Sequence, residues 1–97
     1  MHRLEWKPHA RGDLLHIAEH IAQDSPDSAD KLVDNIEAKA ERLREHPELY
    51  RVGRKRGTRE LVAHPNYIVI YRLKAKVVEI LRVKHTAQQW PRKEIHE

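Results

Sequence analysis

The sequence contains no cysteine and no phenylalanine, only three glycines, and no long apolar run. Without cysteine there is no disulfide framework and no thiolate metal site. A reducing, cytoplasmic setting fits that composition. Without phenylalanine the core must be mostly aliphatic. No stretch approaches the roughly 18 apolar residues of a membrane span. The N-terminal run MHRLEWKPHARGDL is too polar for a secretory signal. Secreted, membrane and disulfide-scaffold classes are therefore not expected.

What is present is charge and aliphatic side chains. A chain of 97 residues points to one domain, 1–97. Leu, Ile and Val supply 23 of the 97 residues. That lies above the level, roughly 20%, below which high charge signals disorder. The charge is divided unevenly. Residues 1–50 hold 7 Lys/Arg against 11 Asp/Glu, and residues 51–97 hold 12 against 4. An acidic half is joined to a basic half. The basic half implies an anionic partner, either nucleic acid or an acidic protein segment, or else a merely solvated surface.

Hydrophobic spacing organises the chain. Residues 2–6, HRLEW, read as a short strand. Pro8 suits the first turn of a helix, where its missing N–H costs nothing. Ala10, Leu14, Ile17, Ala18 and Ile21 then share one helical face, ending near Asp24. Ser25 caps a second helix and Pro26 takes its first position. Ala29, Leu32, Val33, Ile36, Ala40 and Leu43 form its stripe, and His46-Pro47 stops it. Such a short connection makes an antiparallel helical hairpin, which must lie on a sheet.

Residues 47–57, PELYRVGRKRG, have no clean period and read as a basic loop. Residues 58–64 read as a strand, Pro65-Asn66 as a turn, and 67–73, YIVIYRL, as a central strand apolar on both faces. Lys74-Ala75-Lys76 connects to a further strand, 77–84. The tail, 86–97, is expected to fray after at most a helical turn. The expected class is α+β in the order β-α-α-β-β-β, an antiparallel sheet packed against an N-terminal helical hairpin.

The run GTRELVAHPNYIVIYRLKAKVVEILRVKHTAQQWP, residues 57–91, resembles the C-terminal half of the RelE/ParE superfamily of bacterial toxins. The N-terminal pattern W-x-P-x-A-x-x-D-L (Trp6, Pro8, Ala10, Asp13, Leu14) and the Glu45–Pro47 stop agree with it. The resemblance covers nearly the whole chain. It implies the toxin of a type II toxin–antitoxin module, neutralised by a cognate antitoxin that also holds the operator DNA. RelE-like members cut mRNA on the ribosome, and ParE-like members poison DNA gyrase. RelE-like members carry an Arg after the Tyr that opens the third strand. Here Ile68 follows Tyr67. They also place an Arg and a Tyr after the last strand, and here Lys84 to Trp90 contain neither. The resemblance therefore implies a ParE-like gyrase inhibitor, with a RelE-like endonuclease as the alternative and a non-toxic binding partner or co-repressor as a third.

Candidate residues follow. In the nuclease reading His85 is the acid or base, and Arg82, Arg59, Arg56 and Arg54 stabilise phosphorane charge. For binding the target or antitoxin, the candidates are Arg51, Arg54, Lys55, Arg56, Arg59, Lys84, Gln88 and Trp90. Each has a plainer alternative. His85 can be a strand-end histidine bonded to a neighbour, and Arg59 and Arg82 can pair with Glu60 or Glu79. Leu32, Ile36 and Leu43 are candidates for a groove that takes an antitoxin helix. His16 and His20 have metal-ligand spacing but no third ligand, so neither a metal nor a cofactor is expected.

Overall fold

The computed structural model describes residues 1–87. Strand β1 (Arg3–Trp6) leads into helix α1 (Pro8–Ala22) and helix α2 (Pro26–Glu41). Two single 3-10 turns, Arg42–Arg44 and Pro47–Leu49, carry the chain to β2 (Arg51–Val52). Then come β3 (Arg59–His64), β4 (Tyr67–Lys74) and β5 (Val77–His85). They form one five-stranded sheet in the order β1-β5-β4-β3-β2. The α+β class and the helical hairpin on a sheet are as the sequence indicates.

Local chemistry explains the helix starts. Pro8 and Pro26 both stand in first turns, where no N–H is required. The Ser25 hydroxyl accepts from the Ser28 N–H at 3.2 Å, and Asp27 places an anion in the first turn of α2. The second helix is shorter than its apolar stripe. After Glu41 the backbone tightens to a 3-10 turn, which still turns Leu43 fully inward. Lys39 of α2 donates to the Ala63 carbonyl at 2.6 Å, tying the hairpin to β3.

Three features of the sheet depart from the expected antiparallel meander. First, β1 joins β5 in parallel, with Arg3 opposite Val77 and Trp6 opposite Ile80. The α1–α2 hairpin and the later strands supply the long crossover that a parallel pair requires. Second, the segment expected to be an irregular basic loop contains the Pro47–Leu49 turn and β2, which pairs with β3 through Arg51 and Val52. Third, the β4–β5 register shifts between Ile70 and Tyr71, leaving Leu81 as the extra residue of a bulge. Val78 and Ile80 face the core before the bulge and Val83 after it, so β5 shows no simple alternation.

The core lies between the hairpin and one sheet face. Ile36, Leu43, Val69, Val78, Ile80 and Tyr71 are its fully shielded members or nearly so. The Tyr71 hydroxyl donates to the Pro47 carbonyl, and burial pushes its pKa up to about 12. Ile68 and Ile70 alternate with these residues and are also buried, which makes β4 apolar on both faces. No described helix is long and apolar enough to cross a membrane.

Candidate functional site

The parallel pairing of β1 with β5 ends at Ile80, whose carbonyl accepts the Lys7 N–H at 2.9 Å. Beyond it Asp13, on the first turns of α1, takes the place of a strand. Its Oδ2 accepts the Val83 N–H at 2.9 Å and Arg82 Nε at 2.7 Å, while Oδ1 accepts Arg82 Nη2 at 2.9 Å. Donating to the Asp13 carboxylate raises the Arg82 pKa further, so the guanidinium is a permanent cation.

Between α1 and this end of β5 lies a cavity of about 340 Å³ lined by His16, His20, Tyr67, Arg82, Lys84 and His85, among others. The Tyr67 ring meets His85 edge-on at 5.2 Å and His64 at 5.8 Å. Each histidine accepts a backbone N–H on Nδ1 at 3.0 Å, from Ala87 for His85 and from Asn66 for His64. That bond leaves Nε2 as the protonated nitrogen of the neutral ring. His85 is thus anchored by a neighbour and also borders the cavity.

The basic segment is built differently. Glu60 of β3 is only 2% exposed. Its carboxylate accepts Arg51 Nη2 at 2.8 Å, Arg54 Nε at 3.2 Å and the Arg54 N–H at 3.2 Å. Burial alone would raise the Glu60 pKa, but the Arg54 and Arg51 donors outweigh it and hold it below the usual carboxylate value. The loop is closed by Gly53 N–H to the Thr58 carbonyl (2.7 Å) and Thr58 Oγ1 to the Lys55 carbonyl (2.6 Å). Arg59 donates to the carbonyls of Tyr50 (2.7 Å) and Glu48 (3.3 Å). Lys55 and Arg56 are exposed at the loop tip.

These contacts reassign several sequence expectations. Neither Arg59 nor Arg82 pairs with Glu60 or Glu79, because backbone carbonyls and Asp13 take them instead. Glu79 is held by Arg72 at 2.5 Å and by Lys7 at 3.8 Å, and the Arg72 bond lowers its pKa. The cations expected to serve phosphoryl transfer do not converge. Arg59 stands opposite Tyr71 on β4, and His85 opposite Tyr67. Four residues of strand, about 13 Å, separate those levels. Arg54 is turned to Glu60, and only Arg82 and Lys84 share the cavity with His85. Gln88 and Trp90 lie outside the described residues.

The residues expected to line an antitoxin groove do not form an open one. Ile36 and Leu43 are completely buried and belong to the core, and Leu32 is partly buried against it. The open apolar groove lies across the hairpin instead, with a volume of about 250 Å³. Trp6, Leu14, Leu15, Ala18 and Val33 line it, and Arg11 and Glu37 stand at its border. Leu15 is 61% exposed there. The pattern that could have marked this groove is Leu14-Leu15, where the second leucine falls off the core stripe. His16 and His20 both face the first cavity. Among the described residues no cluster of three or more His, Cys, Asp or Glu could hold a metal ion.

Comparison with known proteins gives a consistent outcome. The family model described as "ParE toxin of type II toxin-antitoxin system, parDE" matches residues 4–90. Y4kP of Sinorhizobium fredii, described as a putative toxin, is 42% identical over 90 residues, covering 92% of this chain and 93% of that one. Toxin RelE2 of Caulobacter vibrioides is 33% identical over 88 residues, covering 91% and 99%. Among solved structures, a chain of the chromosomal ParDE toxin–antitoxin system from P. aeruginosa superposes with a TM-score of 0.78 at 26% identity. The match covers 88% of this chain and 96% of that chain.

Proposed function

The chain belongs to the ParE toxin family of type II toxin–antitoxin systems, and from that premise we propose that it inhibits DNA gyrase until a cognate antitoxin silences it. The observation that carries this reading is that the candidate cations are not gathered at one point. Arg51 and Arg54 clamp Glu60, Arg59 caps backbone carbonyls, and Arg82 is held by Asp13. Transfer of a phosphoryl group needs donors gathered around one developing charge. This arrangement instead makes a rigid, basic protein surface, which is what binding a large target requires. Ile68, buried where RelE-like members carry an arginine, supports the same reading.

In this proposal the exposed loop tip, Lys55 and Arg56, and the segment after the buried Lys84 contact gyrase. The groove of Trp6, Leu15 and Val33 receives the apolar face of an antitoxin helix, with Arg11 and Glu37 fixing its register. The test is a supercoiling assay with antitoxin-free protein, scoring cleaved DNA on the same gel. Inhibition with trapped cleavage is expected, and unaffected supercoiling at large excess refutes the target.

One observation favours a second reading, a ribosome-dependent mRNA endonuclease: His85 borders a cavity shared with Arg82 and Lys84. In that case His85→Ala slows A-site cleavage by about 10²-fold or more. Intact mRNA on translating ribosomes with the unaltered protein rules it out.

A further inference from the structure

A further cleft shares Arg82 with the histidine-lined cavity. It has a volume of about 510 Å³ and sits where β1 passes into α1, facing β4 and β5. Among the described residues its lining includes Lys7, His9, Lys55, Arg72 and Arg82, and no carboxylate. Three of these side chains remain substantially accessible: Lys7 at 35%, Arg72 at 44% and Arg82 at 30%. The acids that meet them are Glu79 for Arg72 and Lys7, Glu5 for Lys7, and Asp13 for Arg82. None of these carboxylates is among the residues that line the cleft. Each guanidinium has five N–H donors, and the two hydrogen bonds from Arg82 and one from Arg72 leave donors over.

From this geometry we propose that the cleft binds the phosphodiester backbone of DNA, so that the toxin itself touches the DNA on which its target works. The choice of DNA rests on the gyrase reading given above; the anion specificity rests on the cleft alone. Guanidinium groups already oriented by their partner acids suit phosphate oxygens. Among the described residues the cleft has no lining acid that would repel a phosphate and, His9 apart, no aromatic ring on which a base would stack. It therefore binds without sequence preference, in the way that backbone contacts position a protein on nucleic acid. The start of α1 adds to this field, since it has neither a side-chain cap nor an acidic residue in its first turn.

The experiment is fluorescence anisotropy of a labelled duplex of about 20 base pairs with full-length, antitoxin-free protein and no gyrase, repeated from low to moderate salt. Two to three phosphate contacts predict a log–log salt slope of about −2 to −3. Lys7→Gln is expected to weaken binding several-fold and to reduce that slope by about one. Lys31→Gln, which removes the same charge from an exposed position on α2, is expected to leave both unchanged. Circular dichroism verifies that both variants fold, and the salt slope of the unaltered protein tests the proposal without any variant.

Binding that is absent or insensitive to salt overturns the proposal, as does equal weakening by the two substitutions. Tighter binding of an RNA of the same length overturns the assignment to DNA. Complete release of the duplex by millimolar inorganic phosphate shows a site for free anions instead. Supercoiling inhibition is scored separately. Its loss with DNA binding intact removes the gyrase reading, and its persistence without DNA binding removes this inference.

Discussion

Asp13 and Arg82 stand 69 residues apart in the chain, yet form a two-pronged ion pair at the open edge of β5. The same carboxylate also accepts the Val83 N–H. One side chain thus satisfies a strand edge, locks helix to sheet, and orients an arginine that lines two clefts.

Removing that carboxylate should be costly. Asp13→Ala leaves a half-buried guanidinium and a strand N–H without acceptors, and is expected to lower stability by about 2 kcal/mol. Urea denaturation measures it. A loss below about 0.5 kcal/mol would mean that water replaces Asp13 freely.

The glycines divide by their surroundings. A methyl group on Gly53 would lie 2.2 Å from Thr58 Oγ1, against the Gly53–Thr58 backbone bond that closes the basic loop. Gly53→Ala is expected to cost about 1–3 kcal/mol and to speed tryptic cleavage at Arg54 and Arg56. Gly12 lies inside α1, and a methyl group there would meet nothing within 4 Å. Gly12→Ala should therefore stabilise the protein by about 0.5–1 kcal/mol in the same titration.

Two titrations shape how stability depends on pH. Glu60 is held below its ordinary value of 4.5 in the folded chain. Its contribution is complete above that value and is lost as pH falls through the lower, folded one. Stability of Glu60→Gln, followed by denaturation between about pH 2 and 6, should therefore show a shallower acid decline than the unaltered protein. Tyr71 behaves in the opposite sense. Its pKa rises from 10.0 to about 12 in the fold, so its contribution is present below pH 10 and disappears as pH climbs toward 12. Tyr71→Phe should remove that alkaline decline.

The hairpin groove offers a clean separation of folding from binding. Leu15 is exposed and lines the groove. Leu15→Glu is expected to change stability by no more than about 0.5 kcal/mol. It should weaken antitoxin binding by about tenfold or more, read by calorimetry. Unchanged affinity would place the antitoxin elsewhere.

Much of this architecture is legible in the one-dimensional pattern. Pro8, Ser25 and Pro26 mark helix starts because caps and prolines act within one turn. The stripe from Ala29 to Leu43 marks a buried helix face because its period is about 3.6. The central strand YIVIYRL declares itself by being apolar on both faces. The site was less legible. Ile36 and Leu43 carry the same signal as a groove-lining residue would, and only packing shows that they are sealed. Arg54 and Arg59 look like free cations in sequence, because an arginine's acceptor is set by distance in space.

By itself, then, the sequence determined the two helices, every strand except β2, the α+β class and the family, since these depend on local periodicity, capping and a long ordered run of matching residues. Tertiary structure decided which edge β1 joins, where β5 bulges, and which acid each arginine meets. Those outcomes depend on contacts between residues far apart in the chain, such as Asp13 with Arg82, and hydrophobic spacing carries no information about them.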